Sequence, residues 1–451
     1  MRSSIAASRR APALPALLVA VLLLTACAQP AAPASAPTAP PPPPTSPPAA
    51  APTSAPAPTG ASAPTAASAP TPAAAAAAPT SAGATAATPA GTPAAAGQMQ
   101  FAWAGPLTGD AAQYGQDWLA GIQMAADEWN AKGGLLGKQI VIKPEDEQCD
   151  PKQAATVAQK IADDPDTVFV FGHFCSGATL AAAPAYVKAN VPFMTTSSNP
   201  KITQQGWKNV FRGGPTDNDQ GGLGVGYVMD KLGLKKFALL NDKQAFGQGV
   251  TDVAKATIEK GGGTVTSYGG VEPKDVDYSA VLTKIVQAEQ PDAIMYCTNF
   301  PTSAGLMIKQ ARQLGFQGPI VGCDGYFDPA VVKTAGDVAN RTSDTDLVVI
   351  TFPVPPYDSS PALQAFAKNF QARYGHEPRD FEVFGYDYAN VAFAGIQKAG
   401  STDHQKVIET LHTVSIPGVF VPEYKFDEKG DLIGSKFLLW TIEGGKIVLL
   451  K

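Results

Sequence analysis

The sequence predicts an α/β protein made of two doubly wound parallel sheets, and two observations predict it. From Gln98 onward, short apolar runs of strand length alternate with segments of helical periodicity. That alternation comes in two separate blocks, and repeated strand-helix units build parallel sheets covered by helices on both faces.

The first block opens with an apolar run at 99–104, a Gly/Pro loop, and a helix carrying Trp118, Ile122, Ala125, Ala126 and Trp129 on one face. Gly133-Gly134 stops that helix. A strand at 140–143 follows, and Asp150-Pro151 supplies an N-cap and a first-turn proline for a helix that presents Val157, Ala158 and Ile161. Strands are expected next at 168–171 and 191–195. The second block reads as strand 237–240, helix 250–258, strand 264–268, helix 278–288 and strand 293–296. The connections should be right-handed crossovers, and ligands of such sheets sit beyond the carboxyl ends of the strands.

The first 97 of the 451 residues have another character. Arg2, Arg9 and Arg10 precede an apolar run at 16–24, too short to span a bilayer but suited to the core of a signal peptide, here 1–26. Leu24-Thr25-Ala26-Cys27 resembles the lipobox of bacterial lipoproteins, which implies cleavage before Cys27 and lipidation of its thiol. From 28 to 97 the chain is almost wholly Ala, Pro, Ser, Thr and Gly, without a charged or aromatic residue, so it cannot bury enough apolar surface to offset its ordering entropy. Residues 27–97 are therefore expected to be an extended tether, reaching at most about 3.1 Å per residue.

A net charge of -5, with no interleaved basic and aromatic patch, speaks against nucleic acid as a partner. The four histidines show no HxxxH spacing and the cysteines no CxxC, so no metal site or cofactor is expected. There is neither a Gly-x-Ser-x-Gly elbow nor a phosphate-binding Gly-Lys-Ser/Thr loop. Neither His173 nor His376 has a second catalytic group beside it in sequence, so structural or surface roles are expected. No catalytic residue is assigned. Of five cysteines, lipidation of Cys27 would leave four, an even number for an oxidising compartment.

Two strand ends draw notice. The strand at 168–171 runs into Gly172-His173-Phe174-Cys175-Ser176, with Ser176 at or near a helix N-terminus, where free N–H groups and a hydroxyl suit a carboxylate. Ser is also a common cap of its own helix. The strand at 191–195 runs into Thr196-Ser197-Ser198-Asn199-Pro200, which could hydrogen-bond a polar ligand or simply form a turn.

Seven segments stand in the order found in branched-chain amino-acid-binding proteins: Leu107-Thr108-Gly109 with Gln113-Tyr114-Gly115, Asn130-Ala131-Lys132-Gly133-Gly134, Cys149-Asp150-Pro151-Lys152-Gln153-Ala154, Gly172-His173-Phe174-Cys175-Ser176, Asn241-Asp242-Lys243-Gln244, Lys309-Gln310-Ala311-Arg312 and Phe426-Asp427-Glu428-Lys429-Gly430-Asp431. On these the chain from Gln98 to Lys451 resembles the leucine/isoleucine/valine-binding protein family, the type 1 periplasmic binding proteins of ABC transporters. The resemblance implies two lobes joined by three hinge crossovers, one at 98–217 plus 353–437 and the other at 218–352 plus 438–451, closing on a small ligand.

It further implies a disulfide between Cys149 and Cys175. Cys297 and Cys323 also follow two consecutive strands, which leaves either a second bridge or two free thiols. The family's ligand carboxylate site falls on Ser176 and Ser198, with Thr196 supplying backbone contacts. Its ammonium acceptor, usually Glu, falls on Asp324, and its aromatic walls on Tyr114, Phe246, Phe300 and Phe381. Phe246 and Phe300 stand where tyrosines are common, which makes the second lobe's wall more apolar. Phe174, Cys175 and Ser197, on the same two loops, complete the ligand-binding set.

The implied function is capture of a hydrophobic or branched-chain amino acid for an ABC permease complex. The protein would be a monomer, outside the cytoplasm, touching the membrane only through its lipid anchor, and not an enzyme. The alternative is a ligand-sensing protein for amides or small aromatic acids.

Overall fold

The structure, a computed structural model, describes residues 97–379 and 381–450. The signal peptide, Cys27 and all but the last residue of the expected tether lie outside them.

The first sheet contains β1 (Gln98–Gly105), β2 (Gln139–Asp146), β3 (Thr167–Gly172), β4 (Phe193–Thr195) and β5 (Val210–Arg212) in the order β2-β1-β3-β4-β5. Every pair in it is parallel. Its helices α1 (Ala112–Ala131), α2 (Pro151–Ala162) and α3 (Ser176–Lys188) alternate with its strands. The Asp150 carboxylate caps α2 by accepting from the backbone N–H groups of Lys152 and Gln153 at 2.8 and 2.9 Å. β3 is buried at all six residues, the consequence of helices on both faces.

The second sheet is fed by α4 (Asp217–Leu232), β6 (Lys236–Asn241), α5 (Ala245–Lys260), β7 (Thr264–Gly270), α6 (Ser279–Thr283), β8 (Ala293–Cys297), α7 (Pro301–Gln313), β9 (Ile320–Val321), α8 (Pro329–Ala335) and β10 (Val348–Phe352). The chain then forms α9 (Pro361–Tyr374), α10 (Glu382–Ala399), α11 (His404–Thr413), the short pair β11 (Ile416–Pro417) and β12 (Glu423–Tyr424), and finally β13 (Leu438–Glu443) and β14 (Lys446–Leu449). The seven strands run β14-β13-β10-β9-β8-β6-β7.

This sheet departs from the parallel expectation at one edge, because β13 is antiparallel to both β10 and β14. A hairpin turn through Gly444 and Gly445, both at positive φ, joins β13 to β14. A turn that short can only reverse the chain, whereas a parallel return needs a long crossover. The helix expected at 278–288 also differs: it is a single α-turn followed by a π-helical segment, Lys284–Glu289.

α10 lies against α1 although more than half of the chain separates them. The contact is backbone to backbone: a Cβ on Gly121 would stand 1.9 Å from the Glu382 carbonyl oxygen, and one on Gly385 2.0 Å from that of Trp118. Only glycine fits at either crossing point. Trp129 Nε1 donates to Asn390 Oδ1 at 2.9 Å further along the same interface. Among the described residues no helix is long and apolar enough to cross a membrane.

Candidate ligand-binding site

The carboxyl ends of both sheets meet around a small cavity lined by Phe174, Ser176, Thr196, Ser197, Ser198, Phe246, Asn299, Asp324, Gly325 and Phe381. Direct hydrogen bonds tie its two sides together. Tyr114 Oη donates to the Gly325 carbonyl at 2.8 Å, Asn199 Nδ2 to that of Ala245 at 2.7 Å, and Thr302 Oγ1 to the Asp110 carboxylate at 2.7 Å.

On the first side, β3 delivers Phe174 and Cys175 to the start of α3. Cys175 is the N-cap and Ser176 the first helical residue, so the Ser176 hydroxyl stands among unpaired N–H groups of the first turn. The Cys149–Cys175 disulfide, with Cα atoms 5.4 Å apart, joins this turn to the turn after β2.

The neighbouring 196–199 loop is held from below by Arg212, whose side chain is fully buried. Its guanidinium donates to the carbonyls of Ser197 (2.5 Å) and Asn199 (3.0 Å), to Thr203 Oγ1 (2.9 Å) and to Asp431 Oδ1 (2.8 Å). Ser197 is spent on this scaffold: its hydroxyl donates to the Phe174 carbonyl at 2.8 Å and its N–H to Thr195 Oγ1 at 2.9 Å. Ser197 therefore lines the cavity as a structural residue, and Ser176 and Ser198 supply the hydroxyls on this wall.

On the second side, the Cys297–Cys323 disulfide joins the end of β8 to the turn after β9, with Cα atoms 5.3 Å apart. That turn carries Asp324, and the β8 end carries Asn299. Asn299 Nδ2 reaches across to Cys175 Sγ at 3.7 Å. Asp324 keeps some accessible surface, and that surface faces the cavity. Enclosure pushes its carboxyl up to about 7, against the Gln220 side-chain amide and local backbone N–H groups.

Asp217, the first residue of α4, is fully buried, and its N–H donates to the Ser198 carbonyl at 2.9 Å. Its carboxyl is pushed up to about 8, first by burial and then by Asp324, while the Ser198 hydroxyl and Arg212 pull it down.

Phe174, Phe246 and Phe381 form the apolar walls. Tyr114 stands one layer back, stacked on Phe174 with ring centroids 5.3 Å apart and edge-on to Phe381 at 5.1 Å. Phe300 and Cys175 line a smaller recess beside the cavity, with Gln244 and Gly177. His173 is buried and shares a 3.1 Å hydrogen bond with Tyr186 Oη, while its carbonyl accepts from Thr195 Oγ1 at 2.6 Å. His376 is exposed.

Three residues of this site escaped the sequence reading. Asn299 follows a strand end and was open to the same rule that picked out Ser176. Arg212 is the last residue of β5, whose three residues are too few to show a pattern, and Asp217 opens the helix that follows it. Among the described residues no group of three or more His, Cys, Asp or Glu could hold a metal ion.

Residues 98–446 match the model of the periplasmic binding protein family. The leucine-, isoleucine-, valine-, threonine- and alanine-binding protein of Pseudomonas aeruginosa is 33% identical over 348 residues, 76% of this chain and 90% of that protein. A solved leucine-binding protein from Thermotoga maritima superposes with a TM-score of 0.71 at 27% identity, covering 78% of this chain and 98% of that one. The branched-chain amino acid transporter substrate-binding protein of Streptococcus pneumoniae, solved with isoleucine, gives 0.69 at 26% identity, covering 78% and 97%. The two sheets, the cavity between their carboxyl ends and these matches place the chain in the leucine/isoleucine/valine-binding family of periplasmic binding proteins.

Proposed function

We propose that this protein captures a hydrophobic, most simply a branched-chain, α-amino acid and presents it to an ABC permease complex. The observation that carries the reading is one cavity with opposite polarities on its two sides: the Ser176 hydroxyl at the N-terminus of α3 with Ser198 of the 196–199 loop, and the carboxylate of Asp324. A zwitterion has that charge pattern. Its carboxylate is received by Ser176, Ser198 and the first-turn N–H groups of α3, and its ammonium by Asp324. Phe174, Phe246 and Phe381 receive the side chain, and Thr196 lines the same wall.

The ligand's contacts on both lobes exist together only when the lobes are closed, so ligand shifts the population from open to closed. The hinge lies where the chain passes between lobe 1 (98–217 plus 353–437) and lobe 2 (218–352 plus 438–451). The protein acts by binding, without turnover, as a monomer.

A thermal-shift screen of the chain, freed of carried-over ligand by unfolding and refolding, tests the reading. Leucine, isoleucine or valine should raise the melting temperature, by an amount set by concentration over Kd, and Ser176→Ala should abolish most of the rise. Stabilisation by benzoate or propionamide alone would instead favour the sensor of aromatic acids or amides.

The signal peptide at 1–26 and the Leu24–Cys27 pattern support an extracytoplasmic protein held by lipid on Cys27, with 27–97 as spacer. Cys27→Ala is expected to move the protein from the membrane fraction to the soluble fraction of its host; retention in the membrane would sink the anchor.

A further inference from the structure

With the carboxylate and ammonium of a bound amino acid assigned, one polar side chain of the cavity is left without a part. The polar walls are Ser176, Thr196, Ser197, Ser198, Asn299 and Asp324. Ser176 and Asp324 meet the two charged ends of the ligand. Ser197 is tied to the Phe174 carbonyl, and Ser198 and Thr196 also bond Asp217 and Tyr388 behind the wall.

Asn299 stands apart from these. It is buried at the turn after β8, and it lines both the cavity and the smaller recess beside it. Within the described residues its side-chain amide makes a single hydrogen bond, from Nδ2 to Cys175 Sγ at 3.7 Å. A bonded sulfur is a weak acceptor, so most of the amide's capacity is open to a ligand. The turn that carries it is fixed. Asn299 N–H donates to Asp242 Oδ2 at 3.4 Å and Phe300 N–H to Thr298 Oγ1 at 3.1 Å. A Cβ on Gly325 would stand 2.0 Å from the Thr298 carbonyl oxygen and 3.0 Å from Asn299 Cα, so this turn and the Asp324 turn touch backbone to backbone.

A ligand that fills the cavity strips water from the amide. Against a hydrocarbon side chain the amide is left short of partners, whereas a hydroxyl can accept from Nδ2 and donate to Oδ1 at once. We propose that Asn299 is a specificity-determining residue that selects amino acids with a side-chain hydroxyl, threonine first, over their hydrocarbon isosteres. Threonine has the branched shape of valine, so the walls formed by Phe174, Phe246 and Phe381 accept either, and the amide separates them. The inference rests on the amino-acid reading above and narrows it.

Isothermal titration of the whole chain, freed of carried-over ligand, tests it with two isosteric pairs: threonine against valine, and serine against α-aminobutyrate. In each pair the hydroxyl member should bind about tenfold more tightly or better, since a site built around a substrate hydroxyl rejects the analogue that lacks it. In Asn299→Leu, which keeps the outline of the side chain and removes its polar atoms, the preference should disappear or reverse. The ratio within a pair decides, because a general loosening of the site weakens both members alike. Asn299→Ala answers the same question should the larger side chain disturb the fold.

Valine bound as tightly as threonine by the unaltered protein would overturn the assignment. So would an equal loss of both ligands in the variants, which would put the amide on the carboxylate that the two share. Absence of binding by all four and by leucine would remove the amino-acid reading itself, and this inference with it.

Discussion

Asp324→Asn is expected to weaken leucine binding roughly a hundredfold or more, because an ammonium left in a closed cavity without its anion loses about 3 kcal/mol. Isothermal titration checks this, and Asp324→Glu should retain part of the affinity. The same substitution should make the empty protein more stable at neutral and alkaline pH. The Asp324 carboxyl is higher in the folded chain than in the unfolded one, so the native state binds the extra proton. Its contribution is complete below the unfolded value of 3.8 and is lost as pH rises through about 7. An amide has no such loss. Thermal melts from pH 4 to pH 9 should therefore show the two proteins diverging as pH rises, with the variant ahead. Parallel curves would mean that Asp324 does not titrate where its enclosure dictates.

The second large effect is expected from the disulfides. Each closes a separation of 26 residues, for which loop entropy gives a stabilisation of about 3 to 4 kcal/mol. Replacing Cys297 and Cys323 together by serine should lower the melting temperature by roughly 5 °C for a chain of this size, and the Cys149, Cys175 pair should behave alike. Ligand affinity should fall as well, since each bridge sits one residue from a group that faces the cavity: Cys175 beside Ser176 and Cys323 beside Asp324. Thr298 N–H also donates to Cys323 Sγ at 3.2 Å, so the Asn299 turn rests on the same sulfur. A double serine variant with unchanged melting temperature and affinity would show that packing alone holds these turns.

What the sequence revealed of this site follows from how its parts are encoded. Strands buried on both faces, such as Thr167–Gly172 and Ala293–Cys297, appear as contiguous apolar runs, and their ends can be located to within a residue or two. The loops after them therefore stood out by position alone, and the family resemblance placed Asp324 and the aromatic walls. Charge that acts at a distance left no such mark. Asp217 reads as an ordinary residue at a helix start, and its environment is created by the 196–199 loop, the Asp324 turn and α5, which are far apart in sequence. Arg212 ends a strand of three residues, too short to show in the sequence, and its four acceptors come together around it only in the fold. The antiparallel edge formed by β13 and β14 was hidden for a related reason: short hairpin strands carry no statement of which sheet they will join.

The glycine-lined contact between α1 and α10 also fixes an order of events in time. Trp129 finds its partner, Asn390, 261 residues further along the chain. While a ribosome is still making the middle of the protein, the strands of the first sheet already exist, but the face of α1 that holds Gly121 has nothing to lie against. Contacts of such long range form late, after the entropy of closing the intervening loop has been met. The sheet whose strands are synthesised first is thus not fully covered until α10 has emerged, and until then the apolar face of α1 is exposed to whatever else the cell puts beside it.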